Sequence, residues 1–496
     1  MLVADKRPII DRRRTWEWIA TGALVSVVLR LRMLGTPVTS DEGGYLAIAR
    51  GWAHGRVLYR DVWVDRPQGL LALFRVWDWI SGGHTGSIRI MAMLFGILLV
   101  ASTAVVVREV VGHRAARWTA IICGVVSAAP VLEAHTANGE LLSGAVSAAG
   151  IAVAVIGLTK PEPLRWLFGS GLLAGAALSL KQSGFDGLLG LLLWFALIGI
   201  FAPKERRLAV RSSLAIIAGV ASVIGVLMIH GAVTGWYRWW WAVAGYRFRT
   251  QSVLANAQWF HLIQTAPFAL VVLGSSLMVA LVVAVRDWEH RRRSMRAVLV
   301  SRAGLLPLWL MTSGLSFLIG GGYWRHYWLL LAAPVSALGG VALARAGRFT
   351  SFAAAVALVP CLAISTWVYV GDSSTVTVRA TADRRSQLDE KVAAWFVANR
   401  KPGDNLYALC VSSAVYADAN QDPGFPYLWF PEVYAAPNAQ KLLLSYLSDP
   451  VRAPKFIAQY QAVSSCDRTG RLDTILKTSY RQVSRIGFAI ILQRKP

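Results

Sequence analysis

The chain has 496 residues, 55% of them hydrophobic and 16% charged, with a mean hydropathy of +0.48, a balance that excludes a single water-soluble globule. The formal charge of +24 would suggest nucleic acid in a soluble protein. Here Lys and Arg gather in short connections between apolar runs, which is the positive-inside pattern of a membrane protein and argues against a nucleic-acid partner.

Apolar runs of about 17 to 24 residues match an α-helix crossing roughly 30 Å of hydrocarbon, and they lack the period-2 alternation of a membrane barrel. They begin near residues 16, 89, 116, 141, 165, 184, 210, 262, 298, 327 and 350, which predicts about eleven helices. The first reads as a retained signal anchor, because Arg30 and Arg32 interrupt its end and no small-residue cleavage site follows. Lys6, Arg7, Arg12, Arg13 and Arg14 place the N-terminus in the cytoplasm, and an odd number of crossings places the C-terminus outside. The basic connections at Arg114 and Arg117, Lys160 and Arg165, Lys204 to Arg207, Arg291 to Arg293, and Arg345 with Arg348 then all face inward. The outer connections are residues 35–88, 132–140, the turn Lys181 to Ser183, 231–261 and 320–326.

Segment 76–88, with Trp77, Trp79 and Ile80, reads as an amphipathic juxtamembrane helix. Trp236, Trp239, Trp240, Trp241, Tyr246 and Phe248, mixed with Arg238, Arg247 and Arg249, fit an interfacial aromatic belt or a substrate groove. From about residue 380 the apolar runs shrink to strand length. A helix over 388–399, a strand over 406–411, a helix over 440–447 and strands over 456–463, 480–485 and 488–493 predict a soluble α/β domain. The expected fold class is therefore mainly α: a polytopic transmembrane helical domain over 1–379 and an exocytoplasmic α/β domain over 380–496. Cys123 and Cys361 lie in apolar runs as small buried hydrophobes, which leaves Cys410 and Cys466 as a pair that could join outside.

The sharpest local feature is Thr39-Ser40-Asp41-Glu42-Gly43-Gly44-Tyr45, two adjacent carboxylates just beyond the first helix. One carboxylate can take the proton of an attacking hydroxyl while the other positions substrate or a cation. Equally, Asp41 or Ser40 can cap the helix that runs through Ala49. The next feature is Asp65-Arg66-Pro67-Gln68-Gly69-Leu70.

With an Arg-bearing first helix, Asp41-Glu42 and Tyr45 in the first outer loop, and this Asp65 to Leu70 segment, the chain resembles the GT-C superfamily of integral membrane glycosyltransferases. Within it, the likeness is to the protein mannosyltransferase and aminoarabinose transferase-like group, which includes the RgtA/B/C/D-like domains. The resemblance covers roughly residues 16–345. Members usually carry Lys-Pro-Pro where this chain has Arg66-Pro67-Gln68, so Arg66 and Gln68 are departures, although Arg66 keeps the positive charge a phosphate needs.

The resemblance implies a functional acidic residue in Glu133-Ala134-His135-Thr136-Ala137-Asn138-Gly139-Glu140, and Glu140 is the preferred match; the plainer reading has Glu140 and Asn138 capping the next helix. His135 reads as a loop hydrogen-bonder, since no second histidine has ligand spacing nearby. Lys181-Gln182 sits between two apolar runs, where a charge is functional unless it snorkels to the interface. Gly320 to Trp328 includes Arg325, His326 and Tyr327, which the resemblance places near a lipid phosphate and the plainer reading makes an aromatic anchor. No Walker A sequence is present.

Together these imply transfer of a sugar from a polyprenyl-phosphate donor to a cell-envelope lipid or glycan acceptor on the exocytoplasmic face of the plasma membrane, by inversion. Asp41, Glu42 and Glu140 are the expected catalytic carboxylates. Arg66, Lys181, Arg325 and His326 are expected at the donor phosphate, and Tyr45, Asp65, Asn138 and Tyr327 at the substrates. The site leaves room for a divalent cation (Mg, Mn or Ca), and membrane lipids complete the partners. The competing class is a non-enzymatic transporter of polyprenyl-linked sugars or glycans, which many helices and intramembrane charges would also serve.

Overall fold

Each expected apolar run falls on a helix in the computed structural model, which describes residues 10–291, 295–381, 383–409, 412–467 and 469–496. Lys6, Arg7, Arg292, Arg293 and Cys410 lie outside the described residues, and with Cys410 so does the expected pairing to Cys466. By length and composition, 7 of the described helical segments can cross a membrane: Thr85–Val110, Gly139–Gly157, Pro203–Thr234, Gln258–Asp287, Arg302–Gly320, Arg325–Arg345 and Gly347–Tyr369. The apolar helix Asp186–Phe201 is shorter, at 16 residues. The run expected from 298 is broken. Met295–Leu299 is a separate short helix, and Ser301 caps a tight turn by accepting the Gly304 amide at 3.3 Å, so the crossing helix starts at Leu305.

The chain forms two compact units. The first takes the chain as far as Leu34, then Arg89–Val226 and Asn256–Thr381. Its helices touch where side chains are smallest: a Cβ on Gly22 would lie 2.3 Å from the Ala120 carbonyl oxygen, and one on Gly171 would lie 2.1 Å from that of Ile216. Without a hydrophobic drive between helices in lipid, such close backbone approach is what binds them. Two buried charged side chains of this unit are each satisfied by several partners. Asp186 accepts from Ser147 at 2.8 Å, Trp309 Nε1 at 2.9 Å and Ser313 at 3.1 Å, tying three helices through one carboxyl. Arg30, at the end of the first helix, donates to the carbonyls of Ala134 at 3.1 Å and Ser127 at 2.5 Å. It thereby closes the otherwise open backbone of the 127–134 turn.

The second unit takes Gly35–Ile88, Leu227–Ala255 and everything beyond Thr381. Gln68–Ile80 is the amphipathic helix expected further along; Leu70, Leu71 and Phe74 are buried while Trp79 is 82% exposed. At 13 residues it is too short to span. Past Thr381 come the helix Arg385–Asn399, β1 (Leu406–Ala408), the helix Ala439–Ser448, β2 (Phe456–Gln459), β3 (Tyr480–Ile486) and β4 (Ala489–Arg494). The sheet order is β1-β2-β4-β3, with β1 and β2 parallel and the other pairs antiparallel. In the β2–β4 pairing Ile457 faces Leu492 and Ala458 faces Ile491, and β2 is buried on both faces at Phe456, Ile457 and Ala458.

Two acids in this unit are held above their usual range. Burial pushes the Asp389 carboxyl up to about 7, against a hydrogen bond from Ser412, and the nearby Asp418 charge adds to the rise. Burial also raises Asp418 to about 7, with Glu390 adding and Arg50 opposing. A folded state that binds protons the unfolded chain releases is favoured at low pH, and this stability is lost as pH rises through about 7. Asp389→Asn, which fixes the neutral form, is expected to raise the melting temperature of the whole protein at about pH 8 and to change little below about pH 4. The gain has an upper bound of about 4 kcal/mol, and a melting difference independent of pH would contradict it.

Candidate active site

The Asp41 segment is built as a capped helix start. Thr39 is the N-cap of the helix Ser40–Ala53: its hydroxyl accepts the Glu42 amide at 3.4 Å, while Glu42 Oε2 accepts the Thr39 amide at 2.9 Å and its hydroxyl at 3.0 Å. This is a reciprocal capping box. It corrects the expected cap, which is Thr39 instead of Ser40 or Asp41, and it commits the fully buried Glu42 carboxylate to the helix start. Asp41 is half-buried and is an electrostatic neighbour of Arg385, which itself pairs with Asp383 at 2.9 Å. Ser40 meets Ser413 hydroxyl to hydroxyl at 2.9 Å. The two glycines that follow are required by packing: a Cβ on Gly43 would lie 2.4 Å from the Ala414 Cα, and one on Gly44 2.3 Å from the Trp429 ring.

One helical turn beyond Asp41, the buried Tyr45 packs against Trp429 at 5.8 Å and against Phe74 at 5.6 Å. The Arg66 guanidinium lies 6.0 Å from the Tyr45 ring centre. Arg66 Nη1 donates to Asp65 Oδ1 at 2.6 Å, and Arg247 Nη2 reaches Asp65 Oδ2 at 2.7 Å. A single carboxylate thus organises two guanidinium groups, the donor geometry that suits a phosphate. The loop is held from behind: Tyr59 donates to the Arg66 carbonyl at 2.9 Å, Trp239 Nε1 donates to Gln68 Oε1 at 2.9 Å, and Gln68 Nε2 donates to the Leu227 carbonyl at 2.7 Å. Gln68 does here what a proline cannot, joining the Arg66 loop to the tryptophan-rich segment. The aromatic run over 236–249 therefore has two faces, with Trp239 and Tyr246 buried and Trp236, Tyr237, Trp240 and Phe248 exposed.

In the first unit the expected residues of the other outer turns meet. Asn138 caps the helix Gly139–Gly157 by accepting the Leu141 amide at 2.8 Å, and donates to Thr136 at 2.8 Å. Glu140 and Lys181, both almost fully buried, form a direct ion pair. The Lys181 ammonium also sits 3.9 Å from the Tyr327 ring centre, a cation–π contact. His326 bridges two acids: its Nδ1 lies 2.5 Å from Glu133 Oε2 and its Nε2 3.8 Å from Glu140 Oε2. Arg325 points its guanidinium elsewhere, donating to the Arg379 carbonyl at 2.8 Å over the Phe268 ring. His135 is not the expected hydrogen-bonder. It is buried, neither ring nitrogen has a hydrogen-bond partner among the described residues, and burial beside Arg89 and Arg30 pushes the imidazole well below its ordinary range.

Three participants were not singled out from the sequence. Glu133, which reaches His326, has a left-handed backbone with φ +54°, which an isolated Glu does not announce. Arg247 reads as one of several belt arginines until its pairing with Asp65 is seen. Glu432 is 4% exposed beside Asp65 and Arg66, and burial, with the Asp65 charge adding, pushes it well above the carboxylate range. Among the described residues no three His, Cys, Asp or Glu side chains converge as metal ligands would. Both Asp65 oxygens are engaged by arginine and Glu42 is engaged by its cap, so these residues do not form a donor set for the expected cation.

Residues 65–231 match a family model described as dolichyl-phosphate-mannose-protein mannosyltransferase. No curated protein matches the chain in sequence. Among solved structures, ArnT from Cupriavidus metallidurans bound to undecaprenyl phosphate superposes with a TM-score of 0.60 at 14% identity, over 96% of this chain and 98% of that one. Archaeoglobus fulgidus AglB, an oligosaccharyltransferase in complex with an inhibitory peptide and a dolichol-phosphate, gives 0.54 at 14% identity, over 97% of this chain and 74% of that one. The family match and these structures are glycosyltransferases of the GT-C type, as the sequence resemblance implied, and the chain has their polytopic GT-C fold.

Proposed function

We propose that the chain transfers a sugar from a polyprenyl-phosphate donor to a lipid or glycan acceptor of the cell envelope. The reaction takes place on the exocytoplasmic face of the plasma membrane, with the N-terminus cytoplasmic and residues 380–496 outside. The observation that carries this is the pairing, within one unit, of a half-buried Asp41 one turn from Tyr45 with Arg66 and Arg247 gathered on Asp65. A carboxylate base and a pair of guanidinium groups within one unit supply the two functions the reaction needs. Support for the donor class comes from ArnT, bound to undecaprenyl phosphate, and AglB, in complex with a dolichol-phosphate.

In this mechanism Asp41 takes the proton of the acceptor hydroxyl as its oxygen attacks the anomeric carbon. The carbon–oxygen bond to phosphate breaks, its electron pair leaves with the polyprenyl phosphate, and the anomeric centre inverts. Glu42 fixes the helix start that carries Asp41, and Arg66 with Arg247 stabilises the charge growing on the leaving phosphate. In the first unit, Lys181 and His326 are the candidates for phosphate, with Glu140 and Glu133 orienting them; Arg325 is less suited because its guanidinium serves the Arg379 carbonyl.

The test is transfer by purified protein from a panel of radiolabelled polyprenyl-phosphate sugars to lipid and glycan acceptors. Labelled product together with free polyprenyl phosphate is expected from at least one donor. Binding of the donors without transfer from any of them would replace the enzyme with a carrier of polyprenyl-linked sugars.

A further inference from the structure

Glu432 occupies a place where a carboxylate is costly. It lies in the short helix Phe430–Ala435, 4% exposed, where it accepts the Leu428 amide at 3.3 Å, and among the described residues it has no ion-pair partner. The charged and titratable groups around it are Asp65, Arg66 and Tyr427, with Arg247 beyond Asp65. The segment carrying it is fastened to the same loop: the Trp63 amide donates to the Pro426 carbonyl at 3.0 Å, the Trp63 and Tyr427 rings pack at 5.4 Å, and Trp429 packs against Tyr45. Removed from water, unpaired and next to a second carboxylate, such a group is most stable with its proton on.

We propose that Glu432 is a positioning residue for the phosphate contact made by Arg66: as an uncharged acid it backs the Asp65–Arg66 pair without competing for the guanidinium. The inference rests on the reading of Arg66 as a phosphate contact. Once ionised, Glu432 would be a second anion beside Arg66, drawing the guanidinium towards itself and repelling an incoming phosphate. Asp65, by contrast, is already shared between two arginines. The arginines do not titrate in the accessible range.

The experiment is equilibrium binding of undecaprenyl phosphate to the purified full chain from about pH 7 to about pH 9.5, where the phosphate monoester, with a second pKa of about 6, is mostly dianionic and the small remainder of its own ionisation is common to both proteins compared. Wild-type affinity is expected to fall on the alkaline side. Glu432→Gln, which keeps the shape of the neutral acid, should bind within about threefold of wild type at pH 7 and about tenfold more tightly at the alkaline end. Parallel pH curves for the two proteins would overturn the proposal. So would a flat wild-type curve, which needs no variant and is therefore independent of whether Glu432→Gln folds. Absence of wild-type binding at every pH would instead remove the phosphate reading of Arg66, and this proposal with it.

Discussion

Asp41→Asn is expected to lower sugar transfer by about 10²- to 10⁴-fold, the range a positioned general base contributes, while leaving the melting temperature and donor binding near wild type. The stability half of this expectation follows from the cap. The helix start is held by Thr39 and Glu42 in a reciprocal pair of hydrogen bonds, so removing a charge at Asp41 leaves that pair intact. Glu42→Gln should behave in the opposite way, weakening the cap by about 1 kcal/mol and reducing activity only as far as the helix start frays. Rate assays and thermal melts on the two variants separate chemistry from capping. Full activity in Asp41→Asn would take the carboxylate out of the mechanism.

Removal of the Lys181 ammonium is expected to have the largest effect on stability. Glu140 and Lys181 are 1% and 3% exposed in their side chains, and a buried pair that loses one partner leaves an uncompensated charge, at a cost of about 3 to 5 kcal/mol. Lys181→Met alone should therefore lower the melting temperature strongly. The double variant Lys181→Met with Glu140→Gln should recover much of it, because no isolated charge then remains. His326 beside Glu140 offers the stranded carboxylate partial relief, which places Lys181→Met towards the lower end of that range. Equal melting temperatures for the single and double variants would contradict this account.

The helical architecture was legible because crossing a bilayer imposes a length and an apolarity that local sequence must meet. The strands at Phe456–Gln459 and Tyr480–Ile486 were legible for a similar local reason, the turn residues that bound them. What could not be read were meetings between distant residues. The Thr39 to Glu42 spacing does carry the capping-box signal, beside an Asp41-Glu42 pair that fits an active-site reading equally well. Nothing near Arg247 announces Asp65, and nothing in Phe430-Pro431-Glu432 announces a buried acid, since both contacts depend on segments far apart in the chain. Asp186 illustrates the same limit: its three donors come from two other helices. Gln68 is the most instructive departure from the resembled pattern, because among the described residues its amide makes three hydrogen bonds that a proline in its place could not.

The contact between Ser40 and Ser413 joins residues 373 positions apart, which imposes an order of events during synthesis. A ribosome adding about 5 to 20 residues per second needs roughly 20 to 75 s to cover that interval. Throughout it, the Gly43-Gly44 face waits for Ala414 and Trp429, the groups that fill the space its missing side chains leave. The Asp41 segment is thus made well before the residues that pack against it. A nascent chain released before Ala414 carries Asp41 without the packing around Gly43 and Gly44, and under the mechanism proposed above it is expected to transfer no sugar.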